Sequence, residues 1–357
     1  MIISILLIIV IFSSVVLVHE WGHFVAARRN GIEVEEFGFG FPPRIFGIKR
    51  GQTLYSINWL PLGGFVRMKG EDQPGQAKGS FNAASLGAKV KVLIAGVSMN
   101  VLLGYVILVG LALAGLPKLV DGQFNIGHPS YAQTPAIMAA DVIKNSPASQ
   151  ASISPGTLIL SGNGQAFVTE SDLTSFTKAH AGQTVSLVIK KRSSQPQTVT
   201  TQLNQQAGQT GYLGVTPLAV SSQRYGLWAP VVAAGITVQL VWRTLAGLAA
   251  LIGGLVVHHR ASAEVAGPVG IVVILNSIVH LGWTYLWLFV LTITISLAVI
   301  NILPIPALDG GRLALVLAKS RYQGLSEAAE NRIHKYGFIG LLIFMALITI
   351  IDVRRYL

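Results

Sequence analysis

The chain has 357 residues, 52% of them hydrophobic and only 11% charged. Soluble domains carry about 25% charged residues, so composition excludes an ordinary soluble globular protein and implies an integral membrane protein with some soluble mass. The formal net charge of +11 gathers in loops beside apolar segments, a topology signal rather than a nucleic-acid face, and the absence of cysteine excludes disulfides and thiolate metal sites.

The first apolar segment runs from about Met1 to Ala27 and ends at Arg28 and Arg29. Up to Val18 its only polar side chains are Ser4, Ser13 and Ser14. It has no basic leader and no small-residue cleavage site, so it is expected to span the bilayer rather than to be a cleaved signal. Near its end stand His19, Glu20, Trp21, Gly22 and His23. Histidines at i and i+4 share one helix face, so both imidazoles can grip one zinc ion, and Glu20 beside them can take a proton from water. This places a hydrolytic site at membrane depth, a turn or two from the surface.

Residues 30–87 are mixed. Phe37 to Pro43 is a Gly/aromatic/Pro stretch, Leu54 to Trp59 reads as a strand, Pro61 to Gly64 as a turn, and Phe65 to Met68 as a second strand. A β-hairpin or small sheet near the membrane is expected. It is either a plain connection or a sheet edge that pairs with an extended peptide. The basic residues scattered from Arg28 to Lys91 put this region on the cytoplasmic side and the N-terminus outside. A second span follows at about Ala88 to Leu116. Asn100 within it is expected to pack against other helices rather than to take part in chemistry.

Residues 117–220 are soluble in character. The run from Ser146 to Gln165, with the alternating Val185, Leu187 and Ile189 after it, resembles a PDZ domain of the bacterial protease-associated kind. Ala-Ser at 151–152 replaces the usual Ala-Gly, and Thr157 stands where Asp is common. Gly211 to Val215 resembles a carboxylate-loop segment, but its late position implies a permuted strand order, so it is assigned no ligand. Residues 228–257 are long enough for a third span, although Trp242 and Arg243 in the middle speak against it. Gly267 to Ile271 breaks the chain. Trp283 to Pro304 is a clear span and Gly337 to Ile351 a shorter one, with Arg312, Lys319, Arg321, Arg332 and Lys335 between them marking another cytoplasmic loop. The adjacent His258 and His259 face apart on a helix and are expected to form an interfacial polar patch, not a metal site.

Two histidines do not complete a catalytic zinc site, which takes three protein ligands. Glu33, Glu35 and Glu36 lie just downstream. The stronger candidate is Asp309, in the run Asn301 to Gly311, because an acid at membrane depth is functional by default. Its competing roles are a helix-end cap or a partner for Arg312. Prolines 304 and 306 unwind the helix end, and Gly310 and Gly311 let the backbone turn closely. Asp309 reaches the histidines only if its span runs in the same direction as the first. That requires residues 228–257 not to cross, so they are expected to lie on the surface or to be re-entrant, leaving four spans.

HEWGH in the first span and NILPIPALDGG in a later one, with a PDZ-like region between, resemble the site-2 protease family of intramembrane zinc metalloproteases, in particular its regulator-of-sigma-E type with a single PDZ. The resemblance extends to FGFGFPPR (37–44), PLGGFVRM (61–68), AGVSMN (95–100) and GPVGI (267–271), with Val97 where the family usually has Pro. It implies that His19, His23 and Asp309 bind zinc and that Glu20 is the general base. It further implies that Asn301, Pro304 and Pro306 line the substrate, and that Gly63, Gly64, Phe65 and Val66 belong to a sheet edge that pairs with it. The implied fold is a polytopic α-helical membrane protein with four transmembrane helices, a membrane-associated hairpin or sheet, and an inserted extracytoplasmic PDZ-like α+β domain. The expected divisions are 1–116, 117–220 and 221–357. The implied substrates are single-span membrane proteins, such as anti-sigma factors or signal-peptide remnants, already cut by another protease; the implied location is the bacterial cytoplasmic membrane. Two rivals remain. A non-proteolytic scaffold or chaperone with a vestigial metal site is disfavoured by the intact Glu20 and Asp309. A zinc transporter would need ionisable residues that the second and fourth spans hardly offer.

Overall fold

The computed structural model describes residues 2–71, 77–127, 129–132, 135–191, 194–208, 211–258, 267–321 and 327–356. In chain order the elements begin α1 (Ile2–Arg29), β1 (Val34–Arg50), β2 (Thr53–Met68), α2 (Leu86–Ala114), β3 (Leu116–Pro117), β4 (Tyr131–Ala132), β5 (Ala136–Val142), α3 (Pro147–Gln150), β6 (Leu158–Gly162) and β7 (Gln165–Ala166). They continue α4 (Glu170–Ala179), β8 (Thr184–Lys190), β9 (Gln197–Gln202), β10 (Val215–Val220), β11 (Ser222–Arg224), α5 (Ala229–His258), α6 (Pro268–Val279), α7 (Trp283–Ile302), α8 (Asp309–Arg321) and α9 (Glu327–Tyr356). Among the described residues five stretches are long and apolar enough to cross a bilayer: Ile3–Arg29, Leu86–Ala114, Gly226–Leu251, Trp283–Ile302 and Arg332–Arg355. This is the architecture of a polytopic membrane protein. His259, half of the expected polar patch, lies outside the described residues.

One compact unit comprises Met1–Ile107, Thr237–Leu275 and Leu288–Leu357. Its apolar segments are helices because hydrocarbon offers no water to the backbone, and a helix pairs its own N–H and C=O groups. α1 stops where Gly31 takes φ +75°. There Ile32 N donates to Ala27 O at 2.9 Å and Gly31 N to Arg28 O at 3.2 Å, a Schellman closure beside the two terminal arginines. β1 and β2 then form a long bent hairpin that folds back on itself. Gly38 is matched to Phe65 on one side and to Ser56 on the other, while Ile48 is matched to Tyr55. In space the segments run 64–68, 34–39, 54–57, 46–50, so Gly64–Met68 is an outer segment. Residues 54–57 run in the same direction as 36–39 on one side, and 64–67 run against it on the other. Pro61 to Gly64 is therefore the expected turn between two strands, within the span of β2, and it carries the chain across the end of 34–39.

Ser13 binds this strand to α1 in the middle of the span. Its Oγ donates to Pro61 O at 2.8 Å and accepts from Gly63 N at 3.2 Å. Lower down, Phe24, Ala27, Ile32, Val34, Met68, Phe81, Val92 and Leu93 form one core joining α1, the hairpin and α2. Farther out the hairpin presents Ile45, Phe46, Trp59 and Leu60 as exposed apolar side chains. GPVGI, read from sequence as a break, starts α6, with Pro268 in the first helical position where its missing N–H costs nothing. Asp352 of α9 is buried and accepts from Gly270 N at 2.8 Å, capping α6 from a distance.

The second unit comprises Leu108–Ile236 and Asn276–Trp287. Its main sheet has the order β10-β5-β6-β8-β9, with β7 paired to β6. Val185, Leu187 and Ile189 face inward, as their alternation predicted, against Ile137, Ile159, Phe167, Leu173 and Phe176. Thr169 and Asp172 make a capping box that starts α4.

Replacing Asp352 with Ala should strand the α6 N–H groups and lower stability by about 1–3 kcal/mol. Thermal unfolding in detergent should show the loss, and Asp352→Asn, which keeps an acceptor oxygen, should recover most of it.

Candidate metal centre

α1 carries His19 and His23 one turn apart, and both are buried. The third member arrives from the far end of the chain. α7 ends at Ile302, the prolines interrupt the helix, and α8 begins at Asp309. The return is tight: a Cβ on Gly310 would overlap Ile302 O and Leu303 O, and one on Gly311 would overlap Ile305 O. Only glycine permits this fold-back. α9 packs against the same loop, where a Cβ on Gly337 would overlap Pro306 and where His334 Nδ1 accepts from Ala307 N at 3.3 Å.

The three side chains converge. Asp309 Oδ2 lies 2.9 Å from His19 Nε2 and 3.2 Å from His23 Nε2, and the two Nε2 atoms are 3.1 Å apart. Among the described residues these three form a cluster able to hold a metal ion, with one ligand atom from each lying within 4.8 Å of the others. Two imidazole nitrogens and a carboxylate oxygen suit zinc and leave a position open. His23 Nδ1 donates to Val92 O at 2.8 Å, which fixes that tautomer and points the Nε2 lone pair inward.

Glu20 follows His19 on α1 and lies within electrostatic reach of His23, His19, Asp309 and Glu71. Asn301 Nδ2 stands 3.4 Å from His19 Nε2. Pro304 is exposed beside it, while Pro306 faces Gly337. Gly63 and Gly64 lie against Val16 and Leu17 of α1, Phe65 stacks with Phe41 at 6.5 Å, and Val66 packs on the core beneath. The nearby acids are engaged elsewhere. Glu33 pairs with Lys69 at 2.8 Å, Glu36 with Arg67 at 3.2 Å, and Glu35 is exposed.

Three contributors were not read from sequence as part of the centre. Gly96 of α2 faces the histidines so closely that a Cβ there would overlap His23 Nε2 and come within 2.7 Å of His19 Nε2. Asn100, one turn on, is fully buried. Its backbone oxygen accepts from Thr294 at 3.1 Å, which is the packing role expected of it. Its amide also sits 3.4 Å from His19 Nδ1, while its Oδ1 has no partner. Turning the amide by 180° would let Oδ1 accept the His19 Nδ1–H, the counterpart of Val92 on His23. The spacing of Gly96 and Asn100, small and polar at i and i+4 in a membrane helix, was the available signal. Finally, Arg312 pairs with Glu71 rather than Asp309, donates from Nη2 to Glu71 O at 3.0 Å and lies over Phe81 at 5.5 Å. Glu71 also accepts from Met68 N at 3.1 Å, so this pair fastens the start of α8 to the end of β2.

The model of peptidase family M50 matches residues 7–345. A protein named as a zinc metalloprotease from Clostridium perfringens is 31% identical over 348 residues, 96% of this chain and 95% of its own. Another so named from Nostoc sp. is 30% identical over 351 residues, 95% of this chain and 93% of its own. The regulator of sigma-W protease RasP of Bacillus subtilis is 26% identical over 445 aligned residues, 97% of each chain.

Gly96→Ala should weaken zinc binding at least tenfold by occupying the space between the imidazoles. Alanine is the better helix former by about 1 kcal/mol, so helix content should not fall. Metal content after dialysis, read beside circular dichroism, checks both halves.

Proposed function

Since the chain belongs to peptidase family M50, the site-2 protease family, and is a membrane-embedded zinc metalloprotease, we propose that His19, His23 and Asp309 hold its zinc and that Glu20 is its general base. The observation that carries this is the convergence of three donor atoms from opposite ends of the chain within 4.8 Å. Bound there, zinc supplies Lewis acidity toward a peptide carbonyl and toward water. Glu20 takes a proton from the attacking water and delivers it to the leaving amine as the C–N bond breaks, so no proton is lost or gained overall. Val92 and Asn100 hold the imidazoles in orientation.

The substrates we propose are single-span membrane proteins already trimmed by another protease, with anti-sigma factors and signal-peptide remnants as the two classes. The Bacillus subtilis relative is named a regulator of sigma-W protease, which agrees with the first. A substrate helix hides its peptide bonds and must unwind, and pairing with a sheet edge offsets the lost hydrogen bonds where water is scarce. Gly63–Val66 in the outer segment of the hairpin, next to α1, provides that edge, and Asn301, Pro304 and Pro306 line the approach. The 117–220 region acts as a PDZ-type filter. In its support, Gly211–Val215 leads into β10, an edge strand, and Ala219 N of that strand is held at 3.1 Å by Glu170 of α4, where a peptide would compete.

We further propose the cytoplasmic membrane of a bacterium, with the N-terminus and the PDZ-type domain outside and the centre near the cytoplasmic face. The divisions are 1–116, 117–220 and 221–357. The antiparallel run of α2 on α1, and the meeting of Asp309 with the His pair, support α7 running in the same direction as α1. The segment from α2 to α7 then starts and ends on one side and crosses an even number of times. α6, at 12 residues, spans only about 18 Å. α5, though long enough to cross, accordingly lies on the surface or re-enters, giving four spans.

Two measurements test this reading. Glu20→Gln should cut cleavage of a reconstituted single-span reporter by at least about 100-fold with zinc still bound; cleavage that persists ends the assignment. The chain has no native cysteine, so single cysteines can be placed cleanly. Arg28→Cys and Ser320→Cys should label from the same side and Ser194→Cys from the other, whereas labelling of the first two from opposite sides refutes the four-span topology.

A further inference from the structure

The metal centre uses one face of the α1–α2 crossing, and on the flanking face the two helices part to leave a cleft of about 530 Å³. Its walls are apolar, with Trp21 and Val25 from α1 and Met99 and Leu102 from α2. Trp21 and Leu102 are about half exposed within spans that hydrocarbon surrounds. One end is different. Arg29, the last residue of α1, and Lys91, near the start of α2, close it together. The helices are antiparallel here, since His23 meets Val92 while Gly22 meets Ala95. Both cations therefore lie at the same membrane surface, about 16 Å of helix from Leu102.

Neighbouring cations are engaged. Arg28 lies over the Phe24 ring, Lys69 pairs with Glu33, and Lys89 donates to Asn82 O. Arg29 and Lys91, both exposed, have no ion-pair partner among the described residues. An apolar trough that ends in two uncommitted cations at headgroup depth matches a molecule with a hydrocarbon tail and an anionic head. We propose that this cleft binds an anionic glycerophospholipid, with one acyl chain between Trp21 and Leu102 and the phosphate between Arg29 and Lys91. Basic pockets between membrane helices recognise lipid headgroups on this principle. The site is independent of the proteolytic reading.

The test uses the full chain in vesicles of phosphatidylcholine containing a fixed fraction of brominated-acyl phosphatidylglycerol or brominated-acyl phosphatidylcholine. Six tryptophans contribute to fluorescence, so the Trp21 signal is the difference from a Trp21→Phe variant. Trp21 should be quenched more by the anionic lipid, and Arg29→Gln/Lys91→Gln should lower that preference about tenfold while leaving quenching by the zwitterionic lipid unchanged. Lys49→Gln/Arg50→Gln removes the same charge from the hairpin and should leave the preference intact. Equal quenching by both lipids in the unmodified chain overturns the proposal. So does an equal loss in the hairpin variant, which would mean diffuse charge attraction, or relief of quenching by a single-span peptide, which would mean a polypeptide occupant.

Discussion

His19 and His23 are neighbours on one helix, but Asp309 is 286 residues beyond His23. Bringing its carboxylate to the imidazoles fixes the direction of α7, the unwound stretch after it and the point where α8 begins. The constraint is severe because the meeting happens in a low-dielectric setting, where an isolated carboxylate costs several kcal/mol. Asp309 must therefore be held, and it is held through the backbone. The two glycines after it let α8 fold back against the end of α7, and Arg312 three residues on is fastened to Glu71 at the end of β2. The hairpin, α1 and the C-terminal segment thus share one set of contacts. A shift in any of them moves the carboxylate.

The same medium explains the other polar residues of the spans. Hydrocarbon leaves no polar group unpaired without penalty, and three of these residues show what they are for. Ser13 satisfies a donor and an acceptor of β2 at a depth where water would not, allowing an extended segment to lie against a membrane helix. The Asn100 side chain faces His19, while Thr294 of α7 uses its hydroxyl to donate to the Asn100 backbone oxygen, joining α2 to α7. Asp352 closes the open end of α6. Removing such a group does not merely subtract a bond; it leaves a buried partner that no solvent can serve.

Patterns repeating over a few residues were legible in the sequence. The apolar runs gave the long helices, alternation gave β8, and the i, i+4 histidines gave one half of the centre. Asp309 was legible because an acid beside a span is rare. What could not be read depends on distant partners. Pro61–Gly64 reads as a turn and reverses the chain, but that it does so across the end of 34–39, leaving the two strands on opposite sides of β1, is visible only in the pairing. Gly96 is one of many small residues in α2, and its role is visible only once the imidazoles lie against it. The Glu71–Arg312 pair joins residues 241 apart, with no local trace of the choice. GPVGI reads as a break, and α6 does begin within it; what the sequence does not tell is that Asp352, from α9, caps that helix.

Exposure around the centre is uneven, and that bears on how a peptide and water would reach it. The histidine side chains are only 6% and 7% exposed, while Asp309 is 23% exposed. α2 closes the opposite side, with Gly96 packed directly on the imidazoles. Access from between α1 and α2 is thus blocked, and the open direction lies over Asp309, toward Asn301 and the exposed Pro304. A proline there has no N–H to leave unpaired and cannot rebuild a helix over the opening. The unwound segment that brings Asp309 to the histidines therefore also keeps the centre open on that side. Closing it with regular helix would remove both the carboxylate from the cluster and the exposed approach to it.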